Sequence, residues 1–181
     1  EIENCKNGLP SGIWLKCNSL VDHRLIGLLY DASQAGVPIE IMARGVCCLR
    51  PGVAGLSETI TVRSIIGRFL EHGRIYVFAN GGEFLSDKNI VMISSADLMP
   101  RNLRRRVECF MRLENPTIRK QVLHQIMVAL LRDEKNAWYL QPDGSYVHPQ
   151  TDETSFSCHE YFMSNPSLSG LGSLAATQGN D

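Results

Sequence analysis

Ile13-Trp-Leu-Lys-Cys17, then Asn18-Ser-Leu-Val-Asp22, a helix-forming segment to Gln34, and Val37-Pro-Ile-Glu-Ile-Met-Ala43 together decide the fold. Ile13 to Cys17 is a short apolar run suited to a buried strand. Ser19 and Asp22 have capping-box spacing: Ser19 can accept from the Asp22 amide, and the carboxylate of Asp22 answers at the positive helix end. The helix that follows, to about Gln34, puts Leu25, Leu28, Leu29 and Ala32 on one face, and Gly36 stops it. Val37 to Ala43 resumes as a strand. Strand, helix and strand in this order form a β-α-β unit, whose strands lie parallel through a right-handed crossover. The chain is therefore read as α/β.

Working outward, residues 1 to 12 carry Asn7-Gly8, Pro10 and Gly12 and read as a leading loop. Arg44 leaves the carboxyl end of the second strand, where open α/β sheets bind their ligands, and so suits a substrate phosphate. The alternative is an ion pair with a buried carboxylate. Residues 51 to 57 are loop, Thr59 to Ser64 alternates as a strand, and Ile65, Ile66, Phe69 and Leu70 have the spacing of a short helix ending at His72. An imidazole there can simply cap the helix C-terminus. In the next strand Arg74, Tyr76 and Phe78 share one face, and Ile75, Val77 and Ala79 the other. Asn80-Gly81-Gly82 signals a turn into an antiparallel strand over Asn89 to Ser94, which delivers the polar cluster Ser95 to Asn102. Val107 to Leu113 can return as a strand, and Pro116 opens a helix to about Arg132 carrying Ile118, Val122, Ile126, Met127 and Leu130. Residues 164 to 181 are rich in Gly, Ser and Asn, without periodicity, and read as disordered.

At 181 residues, 44% hydrophobic and 20% charged, the chain fits one globular domain with an appendage. It has no run of eighteen apolar residues, which excludes a membrane-spanning helix. Its first residues have no signal-peptide form, and the chain reads as a piece of a longer protein. Six scattered cysteines without a CxxC pair read as reduced, pointing to the cytoplasm. Cys47 and Cys48 lack the partners a metal site would need. The net charge of −1 hides an asymmetry: Arg44 to Arg106 holds ten basic residues, nine of them arginine, against five acids. Arginine favours fork-like recognition of phosphate, although a solvated basic face would have the same composition.

No complete catalytic motif is present. A Ser95, His72, Asp97 triad lacks its GxSxG elbow, and there is no GxxxxGK[ST] phosphate loop. A histidine beside arginines can act on phosphoryl groups as a nucleophile, or as a general acid and charge stabiliser. Spacing leaves both open.

The strings Cys17-Asn-Ser-Leu-Val-Asp22, Ala32-Ser-Gln-Ala-Gly-Val37, Arg44-Gly-Val-Cys-Cys-Leu-Arg-Pro-Gly52, Arg68-Phe-Leu-Glu-His-Gly-Arg-Ile-Tyr76 and Ser95-Ala-Asp-Leu-Met-Pro-Arg-Asn-Leu103 resemble the C-terminal catalytic domain of bacterial polyphosphate kinase. Arg106-Val-Glu108 and Leu140-Gln-Pro-Asp-Gly-Ser-Tyr146 extend the likeness. The resemblance implies a phospholipase-D-like mixed sheet flanked by helices, one half of a two-domain catalytic unit, over residues 13–146. Residues 1–12 would lead into it, and 147–181 would form a tail, at least partly disordered.

It further implies transfer of the terminal phosphate of ATP to inorganic polyphosphate, reversibly and with Mg2+. The magnesium ligands and the phosphorylated histidine would lie outside this chain, in the preceding half-domain. His72-Gly-Arg74 has the superfamily's HxK form with arginine for lysine, and His72 matches the second active-site histidine, which assists transfer. Arg44 matches a residue contacting nucleotide phosphates, and Ser95, Arg101 and Asn102 fall in the second motif; with Arg74 they complete the expected phosphate-binding set. Gly73, Leu98 and Phe110-Met-Arg112 depart from the family pattern. The implied enzyme is cytoplasmic or peripherally membrane-associated, homo-oligomeric at full length, and has no nucleic-acid partner. The rival functions are a phosphodiesterase of the same fold, for which lysine rather than Arg74 would be expected, and a polyanion- or nucleotide-binding module without catalysis.

Overall fold

The computed structural model describes residues 1–165. It opens with a helix, α1 (Ile2–Lys6), inside the segment expected to be loop. Glu1 fixes this end, its carboxylate accepting from the Gly12 and Asn80 amides. The β-α-β unit follows. β1 (Ile13–Cys17) and β2 (Ile39–Ala43) pair in parallel, with α2 (His23–Gln34) between them in sequence.

Asp22, not Ser19, caps α2, accepting from the Arg24 and Leu25 amides at 3.1 and 3.0 Å. Ser19 instead belongs to the exit from β1, where its amide donates to Asp97. The buried face of α2 is Ile26, Leu29, Ala32 and Ser33, so Leu28, expected inside, is 62% exposed. Gly36 ends the helix at φ +92°, a conformation only glycine adopts without strain.

The sheet is completed by β3 (Ile60–Ile65), β4 (Ile75–Phe78), β5 (Ile90–Ser94), β6 (Phe110–Arg112), β7 (Ala137–Leu140) and β8 (Tyr146–Val147), in the order β6-β5-β4-β1-β2-β3-β7-β8. Among these strands only β1 with β2 and β2 with β3 are parallel. Alternation along each strand divides the core in two. Ile13, Leu15, Ile39, Ile41, Val62 and Tyr76 face α2. Met42, Ile65, Ile75, Val77 and Val91 face a helical layer built from α4 (Pro116–Lys120), a π-helical stretch over Gln121–Met127, and α5 (Val128–Leu131).

The structure departs from the sequence expectation in four further places. No helix spans Ile65 to His72. β3 runs through Ile65, the Ile66 amide donates to the Asn136 carbonyl, and Ile66, Phe69 and Leu70 are exposed on an irregular loop. Gly67 explains the close approach, since a Cβ there would lie 2.5 Å from Asn136 Oδ1 and 2.6 Å from His159 Nδ1. The strand expected from Val107 shortens to Phe110–Arg112 because α3 (Pro100–Arg105) precedes it, with Pro100 opening its first turn, where no amide is needed. The π-helical stretch shifts the phase of the long helix, leaving Ile118 47% exposed and burying Leu123 and Ala129 instead.

The fourth departure concerns the tail. The packed domain does not stop at residue 146: α6 (Cys158–Ser164) docks on the helical layer with Cys158 and His159 buried. The disorder expected for 166–181 lies outside the described residues.

Candidate active site

The register sets one edge of the sheet as the site. β1 and β2 end there at Cys17 and Ala43, while antiparallel β4 starts there just after Arg74 and β5 ends there at Ser94. Asn18, Arg44, Arg74 and Ser95 therefore leave the sheet at the same edge. A continuous network joins the first three. The Arg74 fork grips Asp97 through Nε at 3.1 Å and Nη2 at 2.8 Å, and its Nη1 donates to the His72 carbonyl at 2.7 Å. Asp97 Oδ1 also accepts from the Asn18 and Ser19 amides, at 2.8 and 3.2 Å. Asn18 Oδ1 in turn accepts from Arg44 Nη2.

The charges in this network are fixed by their surroundings. Burial alone would raise the Asp97 carboxyl, but the Arg74 fork and the two amides outweigh it and hold it below the usual carboxylate range. Below the network, burial, then the Asp97 charge, push the Cys17 thiol up to about 12, which rules it out as a thiolate nucleophile.

His72 sits on the 66–74 loop with its side chain exposed, and its imidazole has no bonded partner among the described residues. The residues on either side of it are clamped. Glu71 bridges Lys16 Nζ at 2.9 Å and His159 Nε2 at 2.8 Å, and Lys16 also donates to the Gly73 carbonyl at 3.2 Å. Lys16 is 4% exposed, so its ammonium depends on these partners. Arg44 and Glu71 line one small recess, which places the arginine beside the histidine loop. Arg44 also lines an open cleft of about 300 Å³ with Gly45, Ser64, Ile66, Trp138 and Tyr146, and its Nε is buried without a hydrogen-bond partner.

Ser95 and Asn102 form a second cluster. Ser95 Oγ and Asn102 Nδ2 both donate to Glu108, whose carboxyl they hold, Ser95 first, below its ordinary value. Asn102 is buried, and its Oδ1 has no hydrogen-bond partner. Arg101 is exposed on α3 with no ion pair among the described residues. The structure thus brings His72, Arg44 and Arg74 into one network, sets Ser95 and Asn102 around Glu108, and leaves Arg101 free at the surface. Arg74 is engaged by Asp97 rather than presented to solvent.

Four residues of the site escape the sequence expectation: Lys16, Asn18, Glu71 and His159. Lys16 did leave a signal, as a lone charge inside a buried apolar strand. Among the described residues no three His, Cys, Asp or Glu side chains converge as a metal site. The neighbouring carboxylates are already paired: Asp97 with Arg74, Glu71 with Lys16 and His159, and Glu108 with Ser95 and Asn102. These residues do not fit a magnesium ion.

Fold and site together define a phospholipase-D-like α/β domain with a braced histidine loop and an arginine at one sheet edge. A family model, polyphosphate kinase C-terminal domain 2, matches residues 1–158. The polyphosphate kinase of Erythrobacter litoralis (strain HTCC2594) is 55% identical over 172 residues, 95% of this chain and 24% of that protein. That of Synechocystis sp. is 51% identical over 164 residues, 90% of this chain and 22% of the relative. The crystal structure of polyphosphate kinase from Porphyromonas gingivalis superposes with a TM-score of 0.84 at 34% identity, covering 97% of this chain and 26% of that one. The chain belongs to the polyphosphate kinase family, as its C-terminal domain. It spans about a quarter of the length of these relatives.

Proposed function

We propose that this chain supplies one half of the active site of a kinase that moves the terminal phosphate of ATP onto inorganic polyphosphate, reversibly. One observation carries the reading. The exposed imidazole of His72 stands on a loop clamped by Lys16, Glu71 and Arg74, at the edge where Arg44 emerges.

A phosphoryl group in transfer spreads charge over its equatorial oxygens, so catalysis rests on positioning and electrostatic stabilisation. Arg44, tied through Asn18 and lining both the recess and the open cleft, is suited to hold phosphate oxygens with the rest of its guanidinium. His72 acts as the assisting acid: protonated, it stabilises the charge developing on the oxygen between the parting phosphates and gives that oxygen its proton. The resemblance to polyphosphate kinase assigns the nucleophile to a histidine of the preceding half of the full-length protein. Magnesium belongs there too, where it would neutralise phosphate charge. Ser95, Asn102 and Arg101 would extend the phosphate surface, with Glu108 orienting the first two. The reading includes a cytoplasmic, homo-oligomeric enzyme.

In the full-length protein, His72→Ala is expected to lower turnover by about 100-fold or more, the scale of general acid assistance. A loss below about threefold, with polyphosphate binding intact, would favour a binding module instead. The isolated chain, lacking its partner half, is expected to show no polyphosphate synthesis; ATP-dependent chain growth by the pure chain would overturn the half-site reading.

A further inference from the structure

We infer that His159, on the helix α6 at the far end of the described chain, is the positioning residue for His72. This rests on the reading of His72 as the assisting acid. The loop from 66 to 74 has no regular structure, so it needs anchors outside itself to hold an imidazole in place. His159 supplies two of them. Its Nδ1 accepts from the Phe69 amide at 3.4 Å, which fixes the proton on Nε2, and Nε2 donates to Glu71 at 2.8 Å. The ring is 2% exposed, packs edge-on against Phe69 with centroids 5.2 Å apart, and fills the space in which Gly67 has no Cβ.

α6 is itself fixed to the domain. Asp133 accepts from the Cys158 amide at 2.7 Å and from the Asn136 side chain at 2.9 Å, and Asn136 also donates to Ser157, the N-cap of α6. The anchor therefore runs from the helical layer through Ser157 and Cys158 to His159, then to Glu71, the residue before His72. On the other flank Lys16 holds Glu71 and the Gly73 carbonyl. Without His159, Glu71 keeps only Lys16, and the loop loses its tie to α6. His72 then samples positions off the line of transfer, where a displacement of about 1 Å can lower the rate about 100-fold.

The test uses the full-length enzyme and ATP-dependent polyphosphate synthesis. His159→Ala is expected to lower kcat by about tenfold or more, with KM for ATP changed by less than about twofold. His159→Gln, whose amide nitrogen can occupy the place of Nε2 and still donate to Glu71, is expected to recover most of the loss; His159→Asn, too short to reach, is not. In a His72→Ala background, His159→Ala should lower kcat by less than about a further twofold, because it acts through His72. Losses that multiply in the double variant would overturn the inference, as would equal kcat for His159→Gln and His159→Asn. If His159→Ala does not fold, the Gln and Asn pair makes the comparison alone. A His72→Ala enzyme with unchanged kcat would instead remove the reading beneath it, whereas loss at His72 without loss at His159 removes this inference only.

Discussion

Asp97→Asn tests whether the site is held together as its hydrogen bonds indicate. The Asp97 carboxylate accepts four hydrogen bonds, two from the Arg74 fork and two from the Asn18 and Ser19 amides. The side chains of Arg74 and Asp97 are 12% and 6% exposed. Asparagine keeps the shape, and its carbonyl can still serve the two amides and Arg74 Nε, but its NH2 faces Arg74 Nη2 and leaves a nearly dry guanidinium without its counter-charge. Breaking a buried pair on one side costs about 3–5 kcal/mol, and at a sheet edge with solvent nearby the lower end, about 3 kcal/mol, applies. In a chain of this length that is a fall in Tm of about 6–12 °C.

Thermal unfolding of this chain by circular dichroism measures the fall directly, and a double-mutant cycle with Arg74→Met assigns it. Once Arg74 is gone, Asp97→Asn removes no ion pair, so the double variant should be more stable than additivity gives, by about 2 kcal/mol. Since Arg74 also holds the His72 carbonyl, both single variants should lower turnover in the full-length enzyme. A Tm change below about 2 °C for Asp97→Asn, or strict additivity in the cycle, would refute the claim that this pair is structural.

Acid should weaken the fold for a related reason. Asp22, held by the Leu25 amide first and assisted by Arg104, and Asp97 both titrate below the ordinary value of about 4, so in acid the unfolded chain binds more protons than the folded one. The stability they contribute is full above that value and is lost as pH falls through their depressed folded values; a urea midpoint unchanged from pH 5 to pH 3 would contradict this. Gly67→Ala forces a methyl group into Asn136 and His159 and is expected to destabilise by about 1–3 kcal/mol, read as a lower urea midpoint; no change would mean the loop shifts freely. Arg101→Ala, which removes an exposed guanidinium with no ion pair among the described residues, should leave Tm within about 1 °C while weakening polyphosphate binding by the full-length enzyme about tenfold. Unchanged binding would remove Arg101 from the phosphate surface.

Much of the sheet was legible because alternation and apolar runs report directly on which faces are buried. The parallel β1 and β2, the antiparallel β4 and β5, and the division of Tyr76 and Phe78 from Ile75 and Val77 all follow from that signal. The histidine loop was not legible, because its apolar spacing is helical while its conformation is set by partners far away in the chain. Ile66 bonds Asn136, Phe69 bonds His159, and Gly67 lies against both, contacts that no local pattern encodes. The same holds for Asp97, whose main partners Asn18 and Arg74 are 79 and 23 residues away. Arg44 and His72 were nameable from position and resemblance, whereas the groups that hold them were not. Those supporting groups come from β1, the β5 exit and α6, and only folding brings them together.

The arginine-rich segment also takes on a different meaning in space. Arg63, Arg74, Arg104 and Arg106 pair with Glu40, Asp97, Asp22 and Glu108, so these four are structural charges. Arg44, Arg50, Arg68, Arg101 and Arg105 have no ion pair among the described residues and are the charges available to an anion. This division bears on why position 74 carries arginine where the superfamily pattern has lysine. A lysine offers one point of charge and could satisfy either Asp97 or the His72 carbonyl well. The guanidinium fork satisfies both at once, along two edges of a rigid plane. Arginine at 74 therefore ties the backbone of the histidine to the carboxylate that, through Asn18, also orients Arg44. If the proposed function holds, the His72 backbone and the Arg44 guanidinium are tied in place before any phosphate arrives, which is what preorganised electrostatic catalysis requires.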